Sequence, residues 1–297
     1  MSKLMSPATG RIYGVQRVCQ VFRFPRSTLY AQEKREAMPE RPKAKRGPKP
    51  LYSDKELLAL IHTDLEQSPF CGEGHRKVWA RLKYGLGFAV GRKRVLRLMR
   101  EHNLLSPYRR PQAPPRAHDG QIITQAPNVM WGVDGTRVFT VEDGYVWIFT
   151  AVEHWNAQCM GCHITKKGDR FAALEPVAQA VSEQFGHVGS DAARGLTLRM
   201  DHGTQYLSNH FQNQLKFWGI APSFSFIEQP QTNGVAERFF RTLKEQVIYG
   251  RIYHTVEELR HAVYKFIESY NRQWCVEKNG FLSPLQMRST WTMKVAV

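Results

Sequence analysis

Two stretches of this chain cannot help to build a core, and they divide what is left. Residues 33–50 are polar, rich in proline and lysine, and end in Lys43-Ala44-Lys45-Arg46-Gly47-Pro48-Lys49-Pro50. A second stretch, Pro107 to Pro115, reads Pro-Tyr-Arg-Arg-Pro-Gln-Ala-Pro-Pro. Proline fixes φ and withholds a backbone donor, and clustered charge resists burial, so both read as extended linkers. The 297 residues are therefore expected as modules. These are a first helical module over 1–35, a basic linker over 36–52 that is also able to track phosphates, and a second helical module over 53–106. A linker over 107–122 and a large α/β domain over 123–297 complete the chain.

Charge follows the same division. Residues 1–116 hold 25 Lys/Arg against 9 Asp/Glu, whereas residues 117–297 hold 17 of each, so the whole net charge of +16 lies in the first part. A solvated basic surface is the plain reading, but such segregation favours a polyanionic partner, and nucleic acid is expected. Five cysteines in a chain of this length do not make a disulfide framework. No charged-then-apolar leader opens the sequence, and no apolar run approaches the ~20 residues of a membrane span. The expectation is a soluble protein of a reducing cytoplasm, not associated with membrane.

The first module has apolar residues at helical spacing (Val15, Val18, Cys19, Phe22). A break at Phe24-Pro25-Arg26 follows, then a second short helix from Ser27-Thr28-Leu29-Tyr30. With basic flanks this suggests a helix-turn-helix, although any small helical hairpin reads similarly. In the second module the capping box Ser53-x-x-Glu56 starts a helix carrying Leu57, Leu58, Leu60, Ile61 and Leu65. Val78, Trp79 and Leu82 mark another helix, and Val95, Leu96, Leu98 and Met99 a third. The third also carries Arg92, Lys93, Arg94, Arg97 and Arg100, an arrangement suited to lying on DNA, against the alternative of a solvated cationic face.

Beyond Pro115 strands and helices alternate. Trp131 to Phe139, an Asp143-Gly144 turn and Tyr145 to Val152 predict a hairpin. A third strand is expected near 158–165, a helix over 170–185, a strand ending at Asp201, a helix over 209–218 and a short strand over 223–226. Three meandering strands followed by α/β alternation fit an α/β ribonuclease H-like core with a mixed five-stranded sheet, preceded by all-α modules.

Three acids stand at the ends of these elements. Asp134 lies in the strand Trp131-Gly132-Val133-Asp134, and Asp201 ends Leu196-Thr197-Leu198-Arg199-Met200-Asp201. Glu237, separated from Asp201 by thirty-five residues, opens an amphipathic helix after the loop Gln229-Pro230-Gln231-Thr232-Asn233-Gly234. Carboxylates aimed at one crevice are costly unless a cation neutralises them. Mg²⁺ or Mn²⁺ suits such oxygen ligands, and two ions roughly 3.5–4 Å apart clamp the attacking and leaving oxygens of a phosphoryl displacement. Phosphodiester chemistry on nucleic acid follows. Glu237, Arg241 and Lys244 fall at i, i+4 and i+7 on one helix face, with Phe239, Leu243 and Val247 able to share a buried side; the plain alternative is a solvent-facing ion-pair row. Thr232 and Asn233 are expected to cap the helix, and Gly203 to permit a tight turn.

These residues carry a family resemblance. Asp201-His202-Gly203-Thr204-Gln205-Tyr206, Asn233-Gly234-Val235-Ala236-Glu237-Arg238-Phe239-Phe240-Arg241-Thr242-Leu243-Lys244, Tyr270-Asn271-Arg272 and Ser283-Pro284, with the spacing of the three acids, resemble the DDE transposases of the insertion sequence 3 family (OrfB type), along nearly the whole chain. The resemblance implies an integrase catalytic core that cleaves the end of a mobile DNA element to a 3′-OH and joins it to target DNA. Asp134 and Asp201 would share one metal, Glu237 would hold a second, and Lys244, aided by Arg241, would hold a phosphate near them. Partners would be double-stranded DNA (terminal inverted repeats and target), further copies of the chain in the DNA complex, and an upstream-frame protein. The chain departs from the family where Asn271-Arg272-Gln273-Trp274-Cys275-Val276-Glu277 lacks the usual final histidine, and where Glu228 replaces a common glycine. The alternatives are a non-catalytic DNA-binding regulator derived from a transposase and a nuclease acting on RNA–DNA hybrids.

Cys159-Met160-Gly161-Cys162-His163 spells a haem-attachment motif, but inside an expected internal strand it does not act as one. A zinc site from Cys159, Cys162 and His154 or His163 lacks a second ligand pair at the usual spacing, so core cysteines are expected.

Overall fold

A computed structural model describes residues 2–37, 51–107, 122–225 and 233–295. Most of both linkers, residues 226–232 with Glu228 and Thr232, and the expected strand end at Phe226 lie outside the described residues. The chain divides into two compact units, residues 1–51 and 52–297.

In the first unit α1 (Val15–Val21) and α2 (Arg26–Ala37) form the expected pair of helices, the second beginning one residue earlier than its sequence signal. Cys19 is buried between them, whereas Phe22 is 60% exposed.

The second unit opens with a three-helix bundle: α3 (Asp54–Gln67), α4 (His75–Ala80) running into a wide turn over 81–85, and α5 (Arg92–Glu101). The capping box is formed: Ser53 Oγ accepts from the Glu56 amide (3.2 Å) and the Ser53 amide donates to Glu56 Oε2 (2.7 Å). Leu57, Ile61, Val78, Leu82, Val95 and Met99 make its core, each with no exposed surface. The bundle packs on the α/β domain although a proline-rich stretch separates them in sequence. Phe70 meets Trp274 edge-on at 4.8 Å and Trp79 meets Phe281 at 5.7 Å. The Lys77 ammonium lies over the Trp274 ring, and Arg76 pairs with Glu277 at 2.7 Å. Trp274 stands in the segment that departs from the family pattern, and it supplies the ring on which the bundle rests.

The α/β domain is built on five strands in the order β3-β2-β1-β4-β5. β1 (Met130–Thr140), β2 (Gly144–Glu153) and β3 (Cys159–Thr165) are an antiparallel meander; β4 (Thr197–Met200) and β5 (Ala221–Phe224) run parallel to β1. This is the expected ribonuclease H-like arrangement, with β5 two residues ahead of its predicted start. Trp131, Val133, Phe149 and Ala151 pack under α6 (Arg170–Phe185) and α8 (Asn209–Phe217). On the other face Val138, Val146, Ile148 and Val152 pack under α9 (Gly234–Leu243) and α10 (Val256–Gln273). α7 (Thr204–Leu207), a single turn after Asp201, and α11 (Pro284–Val295) complete the unit. Cys159 and Cys162 are buried and free in β3, where burial pushes the Cys162 thiol up to about 12. They are core cysteines. Among the described residues no helix is long and apolar enough to cross a membrane.

Candidate active site

β1 and β4 pair in parallel, with Gly132 beside Arg199. Asp134 stands two residues further along β1 and Asp201 directly follows the end of β4, so the register carries the two acids out at the same end of neighbouring strands, which in a sheet run roughly 4.8 Å apart. Side chains alternate along a strand, which puts Asp134 on the side of Val138, the side covered by α9. α9 carries Glu237, and its apolar stripe of Phe239, Leu243 and Val247 is buried as the sequence pattern requires.

The two aspartates are held by short backbone contacts. Asp134 Oδ1 accepts from the Gly135 amide at 2.7 Å and Asp201 Oδ1 from the Gly203 amide at 2.8 Å. A side chain at Gly135 would strike the Phe149 ring at 2.7 Å, so only glycine lets that ring cross beside the acid. Gly203 has an ordinary φ of −58°, but a side chain there would come within 2.9 Å of Asp201 Oδ1 and 2.6 Å of Gln205 Nε2, so the missing Cβ makes room for the tight turn in which its amide serves Asp201.

Burial, with the charges of Asp201 and Glu237, pushes the Asp134 carboxyl up to about 6 against the opposing Gly135 amide and Lys244. Glu237 is also raised by burial. Both neighbouring acids and Lys244 thus lie within electrostatic reach of Asp134. Tyr206, on α7, is buried within reach of both aspartates, which together with its own burial push its hydroxyl well up. Two strand-end carboxylates side by side are a suitable donor set for a hard divalent cation. Among the described residues, no three His, Cys, Asp or Glu side chains stand close enough to form a complete ligand group. The three acids are therefore neighbours without forming one closed ligand cluster.

Asn233 occupies the N-cap position of α9, but its side chain does not cap the helix. Its amide instead donates to the Val133 carbonyl oxygen at 3.0 Å, joining the Glu237 helix to the Asp134 strand. At the other end of the helix the backbone widens into a turn over 244–248, closed by the Tyr249 amide on the Lys244 carbonyl at 2.8 Å. Lys244 is half-buried at the start of this turn; Arg241 is exposed, 4.0 Å from Glu245.

The five basic residues of α5 divide. Arg94 donates to Asp54 and to the Tyr52 carbonyl oxygen, and Arg97 to Asp54 and Glu101. Arg92, Lys93 and Arg100 are exposed and, among the described residues, form no ion pair. Sequence reasoning missed Tyr206 and the strand contact of Asn233. It also missed Glu153, whose buried carboxylate holds the Asn128 amide (2.7 Å), the Trp155 amide (3.0 Å) and the Trp131 indole (3.2 Å). Its place at the end of an apolar strand was the available signal.

Comparison with known proteins agrees with this architecture. An HTH-like domain family matches residues 54–112, an integrase core domain family residues 124–230, and a second integrase core domain family residues 218–274. Together the two integrase core matches span residues 124–274, which hold the five strands and the helices packed on them. Transposase InsD for insertion element IS2A/D/F/H/I/K of Escherichia coli is 29% identical over 203 residues, covering 66% of this chain. The corresponding IS2D protein of strain K12 gives the same figures, and the chain spans 65% of the length of these relatives. Among solved structures, the HTLV-2 integrase catalytic core domain in complex with magnesium superimposes with a TM-score of 0.42 at 17% identity, covering 55% of this chain and 97% of that one. The catalytic core domain of BIV integrase gives a TM-score of 0.40 at 20% identity over 57% of this chain and 99% of that one. The sequence matches are family-level support for an integrase- or transposase-type protein that acts on DNA.

Proposed function

We propose that this chain is a DDE transposase of the insertion sequence 3 type. In this reading it binds the ends of a mobile DNA element, cleaves a phosphodiester bond to leave a 3′-OH, and joins that hydroxyl to target DNA. The observation that carries the reading is the meeting of four residues from three separate elements: Asp134 and Asp201 on adjacent parallel strands, with Glu237 and Lys244 within electrostatic reach of Asp134. Asp134, raised by burial and by the charges of Asp201 and Glu237, is costly to keep ionised unless positive charge is brought to it. Mg²⁺ or Mn²⁺, when bound, would supply that charge, activating the attacking oxygen and stabilising the leaving one.

The chain's own residues would divide the remaining work. Asp134 and Asp201 would hold a shared ion between the strands, and Glu237 would complete a second site from the helix. Lys244 would hold a DNA phosphate beside them, fixing the scissile bond in line for attack. The helices of residues 1–35 and 53–106 would recognise the terminal inverted repeats, with Arg92, Lys93 and Arg100 offering their exposed charge to phosphates and Arg94 and Arg97 shared with Asp54. Further copies of the chain would assemble on the DNA. The InsD relatives support this reading, since they are transposases of insertion elements.

A metal-dependent cleavage assay on DNA carrying the element's ends tests it. Wild type should cut with Mg²⁺ or Mn²⁺. Asp134→Asn, Asp201→Asn and Glu237→Gln should each abolish cutting while DNA affinity stays within about a few-fold, because chemistry and recognition use different residues. Binding without cutting by the wild type would instead favour a regulator derived from a transposase.

A further inference from the structure

Behind the acid site lies a buried polar group that the proposed mechanism does not use. His154, at the end of β2, is 5% exposed, and neither of its ring nitrogens has a partner among the described residues. Asn233 is 4% exposed, and its Oδ1 is likewise unpartnered among them. Buried polar atoms are seldom left so, and two in one place call for a common explanation. They are in one place. A Cβ on Gly132 would lie 2.7 Å from Asn233 Oδ1 and 3.1 Å from His154 Nε2, so both atoms converge on the space that this glycine keeps free.

The direction of the contact is fixed by the other half of the amide. The Val133 carbonyl can only accept, so the Asn233 nitrogen must face it, and the oxygen must face the imidazole. An amide oxygen needs a donor. Burial, with Lys278 and Arg199 nearby, holds the imidazole neutral, and a neutral ring has one N–H to give.

We propose that His154 is a positioning residue for the acid site: its Nε2–H serves Asn233 Oδ1 through one bridging water, and so locks the amide that ties the Glu237 helix to the Asp134 strand. The chain of contacts is short. Asn233 is one helical turn before Glu237, and Val133 is the residue before Asp134. Without a donor at Oδ1 the buried amide oxygen is left unpaired, the amide is held by the Val133 bond alone, and Glu237 is positioned less firmly relative to the aspartates. His154 touches no reacting atom; it acts through Asn233. The catalytic consequence rests on the transposase reading above.

The test uses the full chain in single-turnover cleavage of DNA carrying the element's ends. His154→Leu should slow cleavage at saturating DNA by roughly ten- to a hundredfold, the scale on which small misplacements act. Its DNA affinity should stay within about twofold, and its half-saturating Mg²⁺ concentration should rise by about tenfold, as when a residue supporting a metal ligand is removed. His154→Gln presents an N–H at a similar reach and should recover to within about threefold of wild type. A Leu variant with the wild-type rate and Mg²⁺ requirement overturns the proposal, and so does a Gln variant as slow as the Leu variant. A second measurement does not depend on activity or on the stability of the variants. The imidazole nitrogen resonances of wild type at neutral pH, with His154 assigned by its absence in His154→Gln, should show the neutral Nε2–H tautomer. An Nδ1–H tautomer or an imidazolium overturns the proposal. If wild type cuts no DNA with either metal, the transposase reading fails, while the nitrogen spectrum still decides the hydrogen bond.

Discussion

Arg94 and Asp54 are joined by two hydrogen bonds, 2.8 and 2.6 Å long, across forty residues of sequence, and this pairing splits the basic helix α5 into two kinds of residue. Arg94 also holds the Tyr52 carbonyl oxygen at 2.7 Å, so it fastens the start of α3 to α5. Arg94→Ala should therefore destabilise the protein by about 1 kcal/mol, the scale of a partly exposed bidentate pair. Replacing Arg92, Lys93 and Arg100 together by Ala should leave stability within about 0.5 kcal/mol, since all three are exposed. The triple variant should bind DNA more weakly, with a log–log salt slope reduced by about 0.9 for each phosphate it no longer neutralises. Thermal melts and salt titrations of the full chain measure both. An unchanged slope in the triple variant would remove this face of α5 from the DNA interface.

Asn233→Leu should cost about 1–3 kcal/mol, because it leaves the buried Val133 carbonyl without its donor. Denaturant unfolding of the full chain gives the value. A variant as stable as wild type would mean that the bond between helix and strand does not form in solution.

Local signals made most of the fold legible. The Ser53 capping box, the β1–β2 hairpin and the buried stripe of α9 each depend on residues a few positions apart, and each is formed as its pattern requires. The acids were legible because their spacing and neighbouring words are unusual. What the sequence hid depends on distant partners. An asparagine before a helix reads as a cap, and only the fold reveals a competing acceptor one hundred residues away at Val133. The proline-rich stretch near 107–115 suggests separate modules, yet Phe70 and Trp274 bring the helical bundle against the α/β domain. No local pattern announces the wide turn at Lys244 either, since a π turn obeys the same apolar spacing over so short a span.

His154 supplies a pH signature. Its pKa is lowered to about 4, first by burial and then by Lys278 and Arg199, against an ordinary value of 6.5. Above 6.5 the ring is neutral in both folded and unfolded chains and contributes no difference. As pH falls from 6.5 towards 4 the unfolded chain takes up a proton that the folded one refuses, so stability is lost across that window. The loss approaches roughly 3 kcal/mol at the acid end. His154→Gln should abolish this component, so the stability difference between the two proteins should shift in favour of the variant as pH drops. Parallel pH dependence of the two melting curves would show that the imidazole is not held neutral.

Lys244 separates chemistry from binding. It stands just past the end of α9, half-buried at the start of the wide turn, and its charge acts on the Asp134 carboxyl. On the transposase reading, a cation there would grip only a phosphate close to the acids, whereas the exposed residues of α5 would grip DNA elsewhere. Lys244→Ala should therefore slow strand transfer on the order of a hundredfold at saturating DNA, because a phosphate left unheld beside the reacting bond misplaces it. Affinity should change by only about a few-fold, since one of several phosphate grips is removed. Lys244→Arg keeps the charge but not the compact ammonium, and should fall between the two. Single-turnover rates on saturated complex separate the effects, because they are blind to affinity. A Lys244→Ala protein that reacts there at the wild-type rate would reduce this residue to an ordinary cation on the surface of α9, and the phosphate grip would have to come from Arg241.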